Sequence, residues 1–431
     1  MTEPLYDFQM RLNWHALQMM RRPLDIDAAR LRALDDEVVL AMQARTAIVE
    51  RLRGRPFEGK EFNDHGEPKF FRSLKQITDV MTALGQKPGT NRKTGRDAFD
   101  DETLIRIAQR TPALRELCHA IIEFRSLGQM LSSFIRARLE PDGRLRVSQN
   151  PHGAETFRWS HSKNPYGRGC NIANVSTGDR GMTGLVLPNA RTAIIPPPGG
   201  LFFEPDLAGA DARVVAWDAD DALMKDQFRR GLKIHAENAK LIFGPKAGSD
   251  GKAEPWYTAT KRGVHASNYG AQAKTVAGSL GITVAEAETF QRTYFGEHPA
   301  IPRWHKRVMN EIKLNKYIEN KFGYRIYYFG RIDERLRNQA LAWIGQGTVA
   351  CVTNRVYVAL EETVPEVEMV INNHDSLVGR VPQGLWTPAL KARIRDCYTA
   401  VVVPYDDPLV IPPSLKTSAQ SWGDVEPEDW T

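Results

Sequence analysis

The sequence predicts an α+β protein, in which a helical N-terminal third precedes a sheet with acidic residues at the ends of its strands. The N-terminal third has apolar residues at helical spacing, as in Leu34, Val38 and Met42. Two later segments, residues 201–203 and 367–371, are short apolar runs typical of buried strands. Helical patterns fill the chain between these runs, so we expect helices inserted between two strands of one sheet.

Composition indicates a globular protein. The 431 residues are 42% hydrophobic and 26% charged, which is enough for two or three packed subdomains. No apolar run approaches the roughly 20 residues of a membrane span, and the N-terminus does not resemble a secretion signal, so we expect no membrane partner and a cytoplasmic location. The four cysteines lack the spacing of a zinc site or a disulfide framework, and we expect buried thiols at Cys118, Cys170, Cys351 and Cys397.

The N-terminal third should contain several helices and one basic, loop-rich segment. Helical patterns cover residues 1 to about 50, where Asp25 to Asp27 are candidate caps, and recur at 71–84, 100–109 and 113–138. Residues 51–97 contain eleven Lys or Arg and six Asp or Glu. Such a segment suits contact with a phosphate backbone, although a solvated surface loop is the alternative. The net charge of +6 favours nucleic acid only weakly.

Two acidic residues follow apolar runs far apart in the chain. Asp206 comes after Leu201 to Phe203, and Asp375 lies in a polar turn between two apolar segments that read as a hairpin. Either residue alone is more often a turn former than a metal ligand. If the two converge, they form the two-carboxylate site that Mg²⁺ uses in phosphoryl transfer.

The segment between the two carboxylates contains a polar helical stripe. Lys261, His265 and Tyr269 are spaced at i, i+4 and i+8, which places a cation, an imidazole and a phenol on one helix face. This set suits a nucleoside triphosphate lying along the helix. Further on, we expect one long helix over 283–316, a strand at 324–328 and a helix at 333–362.

The order of these segments resembles motifs A, B and C of family-A DNA polymerases, the bacterial DNA polymerase I type. Asp206 to Arg213 is similar to motif A, Lys261 to Gly270 to motif B, and His374-Asp375 to motif C. Other landmarks of the family occur in the same order along nearly the whole chain, namely Ser73-Leu74-Lys75-Gln76, Glu123-Phe124-Arg125, Asp142-Gly143-Arg144, Thr156-Phe157-Arg158, Asn171 to Asn174, Gln346-Gly347-Thr348 and Ser421-Trp422-Gly423.

The resemblance implies a right-hand polymerase fold with a helical thumb, a palm built on an antiparallel sheet, and helical fingers. We expect the thumb at 1–143 with its basic tip at about 51–97, the first palm segment at 144–220, the fingers at 221–325 and the second palm segment at 326–431. The implied activity is template-directed addition of deoxynucleotides to a primer 3′ end.

The resemblance also assigns roles to individual residues. Asp206 and Asp375, with the backbone carbonyl of Leu207, would hold two Mg²⁺ ions, for which Mn²⁺ can substitute. Lys261 is expected to act in catalysis with the two aspartates by supplying positive charge to the triphosphate. Residues expected to contact the nucleotide are Asp211, His235, Arg262, His265 and Tyr269; for His235, a surface or packed position is the alternative. Residues expected to contact primer–template DNA are Arg158, Asn174, Gln346 and His374. Of these, Arg158 and Gln346 would probe the minor-groove acceptors that every base pair presents; an ion-pair or phosphate role is the alternative for Arg158.

Four positions depart from the family pattern. Ser376 replaces a glutamate after the motif C aspartate, and Asp211 replaces the motif A glutamate. Tyr257 replaces an arginine, and His265 replaces an aromatic residue. His374 to Ser376 and Thr260 to Val264 are also similar to phage-type single-subunit RNA polymerases, which leaves ribonucleotide synthesis as an alternative. An inactive nucleic-acid-binding relative is a third.

The thumb-like pattern begins almost at the first residue, which resembles a phage-like polymerase domain without an exonuclease domain. The acidic clusters Asp35-Asp36-Glu37 and Asp100-Asp101-Glu102 lie in helical context, and we interpret them as helix-surface and helix-cap charges. The sequence therefore predicts no 3′→5′ exonuclease within these residues. A separate exonuclease or a processivity factor is a candidate partner.

Overall fold

The computed structural model describes residues 4–90, 95 and 97–431. Its α-helices are α1 Leu5–Arg21, α2 Ala28–Arg53, α3 Leu74–Ala83, α4 Asp101–Arg110, α5 Arg115–Met130, α6 Ala210–Asp218, α7 Ala222–Arg229, α8 Ile234–Phe243, α9 Trp256–Asn268, α10 Ala273–Leu280, α11 Val284–Glu297, α12 Ala300–Asn315, α13 Glu334–Thr363 and α14 Pro388–Thr399. Its strands are β1 Asp25–Ile26, β2 Gly89–Thr90, β3 Asp97–Ala98, β4 Ser148–Asn150, β5 Ser160–Ser162, β6 Ile194–Ile195, β7 Gly200–Leu207, β8 Tyr317–Glu319, β9 Arg325–Tyr327, β10 Glu368–Asn373, β11 Ser376–Pro382, β12 Val402–Val403, β13 Leu409–Val410, β14 Pro413–Ser418 and β15 Glu426–Pro427.

The N-terminal region consists of α1 to α5 and the loops between them. The carboxylate of Asp27 accepts hydrogen bonds from the backbone N–H groups of Ala29 and Arg30, which confirms the predicted cap of α2. Helices α3 and α5 lie within the predicted segments, and α4 ends one residue beyond its segment. Helix α5 continues into a π-helical turn at Leu131–Ile135. Residues 91–94 and 96 of the predicted basic segment lie outside the described residues.

The acidic clusters of this region have structural partners. Asp100 caps α4 by accepting from the N–H of Thr103, and Asp35 on α2 forms an ion pair with Arg136 at 2.6 Å. Both clusters therefore lie on helices, as the sequence predicted. The predicted Asp142-Gly143 turn is also confirmed, since Gly143 has a φ of +75° and donates its N–H to the Glu140 carbonyl.

One antiparallel sheet organises the rest of the chain, with the strand order β10-β11-β7-β14-β15. Because side chains alternate along a strand, the neighbours Phe202 and Phe203 on β7 enter two different hydrophobic cores. Phe202 packs in the core of helices α2 to α5, and Phe203 packs in the core that contains α1 and the later helices. A β-carbon at Gly379 on β11 would overlap the Phe203 ring, so glycine is required where the ring crosses that strand.

Helices α6 to α12 are inserted between β7 and β8. The single helix predicted for residues 283–316 is wrong, because the structure has two helices, α11 and α12, with a break at His298-Pro299. Pro299 has no N–H to continue α11 and instead precedes the first turn of α12. Predictions for the strand at 324–328 and the helix at 333–362 are confirmed by β9 and α13, and Asp333 caps α13.

All four cysteines are buried free thiols, as the sequence predicted. No helix in the described ranges combines the length and the apolar character needed to cross a bilayer.

Candidate active site

Asp206 and Asp375 are brought together by the pairing of β7 with β11. Asp206 is the penultimate residue of β7 and lies opposite Ser376, the residue after Asp375. The N–H of Leu207 donates to the Asp375 carbonyl at 3.1 Å, which closes the turn onto the strand. His374 has a φ of +66° and so allows the tight turn between β10 and β11. The sequence placed Asp206 after a short strand, whereas β7 in fact extends through it.

The two carboxylates lie close enough for their charges to repel each other. Burial raises the pKa of Asp206 from 3.8 to about 7, and the charge of Asp375 adds to this rise. Lys416 on β14 and Lys261 on α9 act in the opposite direction. A divalent cation would stabilise the ionised form of both acids, so the donor set fits a hard metal ion.

Metal ligation here would depend on only two side chains. The described part of the chain contains no group of three or more His, Cys, Asp or Glu side chains that could hold a metal. This is compatible with Mg²⁺, which usually keeps several waters and takes substrate oxygens as ligands.

A third carboxylate, Glu204, lies next to this pair and was not assigned a role from the sequence. Glu204 is buried and accepts hydrogen bonds from Ser376 Oγ at 2.8 Å and from Trp422 Nε1 at 3.0 Å. It lies two residues before Asp206 and so on the same face of β7. The signal in the sequence was a glutamate inside an otherwise apolar strand.

The Glu204–Ser376 hydrogen bond accounts for one departure from the family pattern, namely the serine at position 376. Where the family has a glutamate after the motif C aspartate, this chain has a serine that donates to a glutamate on the neighbouring strand. A third carboxylate is thus present beside Asp206 and Asp375, but it belongs to β7 and not to the hairpin. It is held by two donors and serves to fix the hairpin tip against the strand.

The polar stripe of α9 faces the carboxylate pair. Lys261 is exposed, and its charge acts to lower the pKa of both Asp206 and His235, so it lies within electrostatic range of both groups. Burial lowers the pKa of His235 to about 4, so this imidazole is neutral at pH 7. Its Nδ1 is buried without a hydrogen-bond partner among the described residues. Arg262 is exposed and, being the next residue, points about 100° away around the helix.

Tyr269 lies at the C-terminal end of α9, beside Asp211 from the start of α6. Burial raises the pKa of Tyr269 well above its usual value, and the Asp211 charge contributes to this rise. However, the Tyr269 hydroxyl and Asp211 Oδ1 are both buried without a hydrogen-bond partner in the described structure. Asp211 Oδ2 lies 3.9 Å from His265 Nδ1. A β-carbon at Gly345 of α13 would overlap the Tyr269 hydroxyl, so this glycine makes room for the ring.

Arg158 lies within electrostatic range of the hairpin tip and of Tyr269, since its charge acts to lower the pKa of both His374 and Tyr269. The backbone around Arg158 is attached to α13. Asn354 accepts from Trp159 Nε1 at 2.7 Å and donates to the carbonyl of Phe157 at 3.4 Å. Gln346 is half-buried on the same helix, eight residues before Asn354 and therefore on the same face.

A second histidine lies near His374. The rings of His161 on β5 and His374 are 6.5 Å apart, and burial lowers the pKa of His161 to about 4. His161 was not predicted as a site residue, because no sequence motif surrounds it.

Asn174 is separate from the residues above. It is exposed and lines a groove of about 480 Å³ between α5 and residues 172–191, together with Gln129, Ser133 and Arg191. This groove contains no other residue that the sequence analysis assigned to DNA or nucleotide binding.

Comparison with known proteins identifies the family. The family model for DNA polymerase family A matches residues 53–422. This chain belongs to DNA polymerase family A. The family assignment inferred from the motif order is therefore confirmed, and it is favoured over the RNA polymerase alternative.

Individual relatives agree with the family assignment. The thermostable DNA polymerase I of Thermus filiformis is 27% identical over 383 residues, covering 85% of this family-A chain and 42% of the relative. The DNA polymerase I of Chloroflexus aurantiacus is 28% identical over 99% of the chain and 44% of the relative. The DNA polymerase of Mycobacterium phage D29 is 21% identical over the whole chain and 65% of its own length. The chain thus spans less than half the length of the two DNA polymerase I proteins.

A solved structure has the same fold. The polymerase domain of M. smegmatis Pol1, in complex with DNA primer-template and dNTP, superposes with a TM-score of 0.79 over 96% of this chain and 70% of that one, at 19% identity. The predicted right-hand α+β polymerase fold is confirmed.

Proposed function

We propose that this chain is a template-directed DNA polymerase that adds deoxynucleotides to the 3′ end of a primer. The observation that carries the proposal is the pairing of β7 with β11, which places Asp206 opposite Ser376 and so beside Asp375, with Lys261 of α9 within electrostatic range. Two adjacent carboxylates could hold divalent cations, which with a nearby lysine would supply the positive charge that in-line displacement on a triphosphate needs. Membership of DNA polymerase family A and the fold of a polymerase domain support the same function.

The proposed domains are those that the family resemblance implies. The thumb comprises residues 1–143, the palm 144–220 and 326–431, and the fingers 221–325. Support comes from the central sheet, which separates a core that includes helices α2 to α5 from a core that includes α8, α9 and α11 to α13; α1 packs in this second core. Primer–template DNA would lie across the palm, between the thumb and the fingers.

Asp206 and Asp375 would hold the Mg²⁺ ions, with the Leu207 carbonyl as a further ligand and Mn²⁺ as a substitute. When bound, these ions activate the primer hydroxyl and neutralise the pyrophosphate that leaves. The side chains act before this step. Glu204 and the turn at His374 fix the position of Asp375, and the buried face of β7 fixes Asp206. The site is therefore rigid on the protein side, which limits the reorganisation needed during reaction.

Residues of α8 and α9 would bind the incoming nucleotide. Lys261 contributes positive charge to the triphosphate, with Arg262 as a second cation at the outer edge of the helix. Neutral His235 can donate a ring N–H to a phosphate oxygen, which its unpartnered Nδ1 makes favourable. His265, Asp211 and Tyr269 would surround the sugar, with Tyr269 closing the site at the end of the helix.

The newly formed base pair would be sensed from the minor groove. Arg158 and Gln346, both supported by α13, would donate hydrogen bonds to the purine N3 and pyrimidine O2 acceptors. His374, at the hairpin tip, would contact the primer end. Asn174 would contact the backbone of the duplex farther from the chemistry, in the groove beside the thumb.

Primer extension tests the proposal directly. Purified protein is incubated with a labelled primed template and either deoxy- or ribonucleotides, with Mg²⁺ or with a chelator. We expect extension only with Mg²⁺ and a preference for deoxynucleotides. The variants Asp206→Asn and Asp375→Asn should not extend the primer, whereas Asp226→Asn, which neutralises an exposed carboxylate on α7, should extend normally. No extension by wild type under any metal condition, with the duplex bound, would favour the inactive relative.

A parallel incubation without nucleotides tests the expected absence of a 3′→5′ exonuclease in these residues. Metal-dependent shortening of a mismatched primer would contradict that prediction.

A further inference from the structure

The hairpin formed by β8 and β9 carries a row of aromatic rings on its outer face. Tyr317 lies opposite Tyr327 in the register, and their ring centroids are 5.5 Å apart. Tyr327 and Phe329 follow at 6.0 Å, with ring planes only 7° from parallel. Their side chains are 53% and 85% exposed, respectively. Large apolar rings with this exposure are costly to leave in water and indicate a binding surface.

The opposite face of the same hairpin is buried against the proposed active site. Tyr324 and Tyr328 alternate with the exposed residues and point into the protein. The Tyr324 ring lies 4.4 Å from Phe157, which directly precedes Arg158. The hairpin is therefore attached to the segment that is placed to contact the primer–template minor groove.

The segment after the hairpin leads to the nucleotide site. Asp333 caps α13 only four residues after Phe329, and Arg337 in the first turns of α13 donates to the Gly270 carbonyl at 2.6 Å. Gly270 follows Tyr269, where the incoming nucleotide would pair with its template base. The next template base must reach this point unpaired. The aromatic row lies on the hairpin whose following segment leads to this point.

The charge around the rings is positive. Residues 313–335 include six Lys or Arg and three Asp or Glu, a net charge of +3. Of the six cations, Arg325 is paired with Glu319 and its guanidinium lies 4.7 Å from the Tyr317 ring. Exposed rings between cations are the arrangement that proteins use for single-stranded nucleic acid, because bases stack on the rings while cations contact phosphates.

We propose that Tyr317, Tyr327 and Phe329 form a stacking platform for the unpaired template strand ahead of the primer. The inference rests on the proposed polymerase function and adds to it a binding site for single-stranded DNA. Stacking does not require a particular base, which suits a strand of any sequence. The platform would hold the template extended and deliver one base at a time to the Tyr269 end of α9.

The test compares templates that differ only in their unpaired extension. A labelled primer is annealed to templates with one or about ten unpaired 5′ nucleotides, a length in the range of known single-strand sites, and equilibrium binding is measured by fluorescence anisotropy. We expect wild type to bind the long extension about tenfold more tightly than the short one, which corresponds to stacking of one base or more. A long extension made of abasic nucleotides keeps the phosphates but lacks the bases. We expect it to bind no more tightly than the short extension.

Variants locate the effect on the hairpin. Tyr327→Ala combined with Phe329→Ala should remove the advantage of the long extension and leave binding of the short one unchanged, whereas Tyr327→Phe should keep it. Tyr6→Ala combined with Trp14→Ala is the matched control, since these α1 aromatics are 72% and 61% exposed and lie on a different element. The control should bind like wild type.

Three results would overturn the inference. An advantage that persists in the hairpin double variant places the single strand elsewhere, and one that persists with the abasic extension reduces the effect to charge. Binding that does not depend on extension length, with a wild-type dimer that becomes monomeric in the double variant, would assign the aromatic face to a second copy of the chain. Failure to bind any primer–template would instead contradict the proposed function itself.

Discussion

Lengthening Asp211 by one methylene should sharpen the choice between deoxy- and ribonucleotides. In the structure, Asp211 Oδ1 and the Tyr269 hydroxyl are both buried and both lack a hydrogen-bond partner among the described residues. The Asp211 charge nevertheless reaches the tyrosine and raises its pKa. The two side chains thus lie close enough to interact, but their contact falls outside good hydrogen-bond geometry. The steric wall that they would together form beside the sugar C2′ is therefore not tightly closed.

Asp211→Glu extends the carboxylate by about 1.5 Å, the length of a carbon–carbon bond. This lets it accept from the Tyr269 hydroxyl and stand closer to the C2′ position. A hydrogen bond to a charged group contributes about 1.5–3 kcal/mol. If most of this energy opposes displacement of the wall by a 2′-hydroxyl, discrimination increases by about tenfold or more, since each 1.4 kcal/mol is a factor of ten. Asp211→Ala removes the wall and should lower discrimination by a similar factor.

Single-nucleotide incorporation measures the effect as the ratio of kcat/KM for the deoxy- and ribonucleotide. The order of this ratio should be Asp211→Glu, then wild type, then Asp211→Ala. Adding Tyr269→Phe to Asp211→Glu removes the hydroxyl and should cancel the gain, which makes the pair a double-mutant cycle. An unchanged ratio in Asp211→Glu would refute the proposed wall. Equal use of both sugars by wild type would point to ribonucleotide synthesis.

Three further predictions concern the carboxylates. Alanine at Asp206 or Asp375 should lower extension by orders of magnitude while duplex binding, measured by anisotropy, is largely kept; more than a tenth of wild-type extension in saturating Mg²⁺ would contradict the assignment. Glu204→Gln should lower the free energy of unfolding by about 2 kcal/mol, because a neutral amide replaces a buried carboxylate that accepts two hydrogen bonds. The same variant should raise the Mg²⁺ concentration needed for half-maximal extension. Ser376→Ala should also raise that concentration, because it loses the Glu204–Ser376 hydrogen bond. Because Asp206 has a pKa raised from 3.8 to about 7, its contribution to stability without metal is full below pH 3.8 and is lost as the pH rises through about 7. Added Mg²⁺ should therefore raise Tm more at about pH 8 than at about pH 5.5, and Asp206→Asn should remove most of that difference.

Local patterns in the sequence predicted most of the elements. Asp27, Asp100 and Asp333 each occur one residue before a helix, where their side chains satisfy free N–H groups. Apolar periodicity located the long helices, because it too depends only on residues that are near one another in the sequence. The failure at residues 283–316 came from treating Pro299 as compatible with a continuous helix, although the apolar pattern runs through the break.

The pairing of distant residues was the harder part. Motif order brought Asp206 and Asp375 into one hypothesis, but the register that places Ser376 opposite Asp206 depends on strand pairing over long separations. Glu204 was not predicted because its two hydrogen-bond donors, Ser376 and Trp422, are distant from it in the sequence. Lys416 was missed for the same reason, since it becomes a neighbour of the site only through the pairing of β14 with β7. Such contacts have no local signature.

The adjacent residues Phe202 and Phe203 have a consequence for how the protein loses activity on heating. Because one ring belongs to each hydrophobic core, loosening either core releases one face of β7, the strand that carries Asp206. The proposed activity then depends on the less stable of the two cores, and a substitution in helices α2 to α5 should impair the proposed metal site without contacting it. Heat inactivation should follow the first unit to open, ahead of the loss of helical signal from the other.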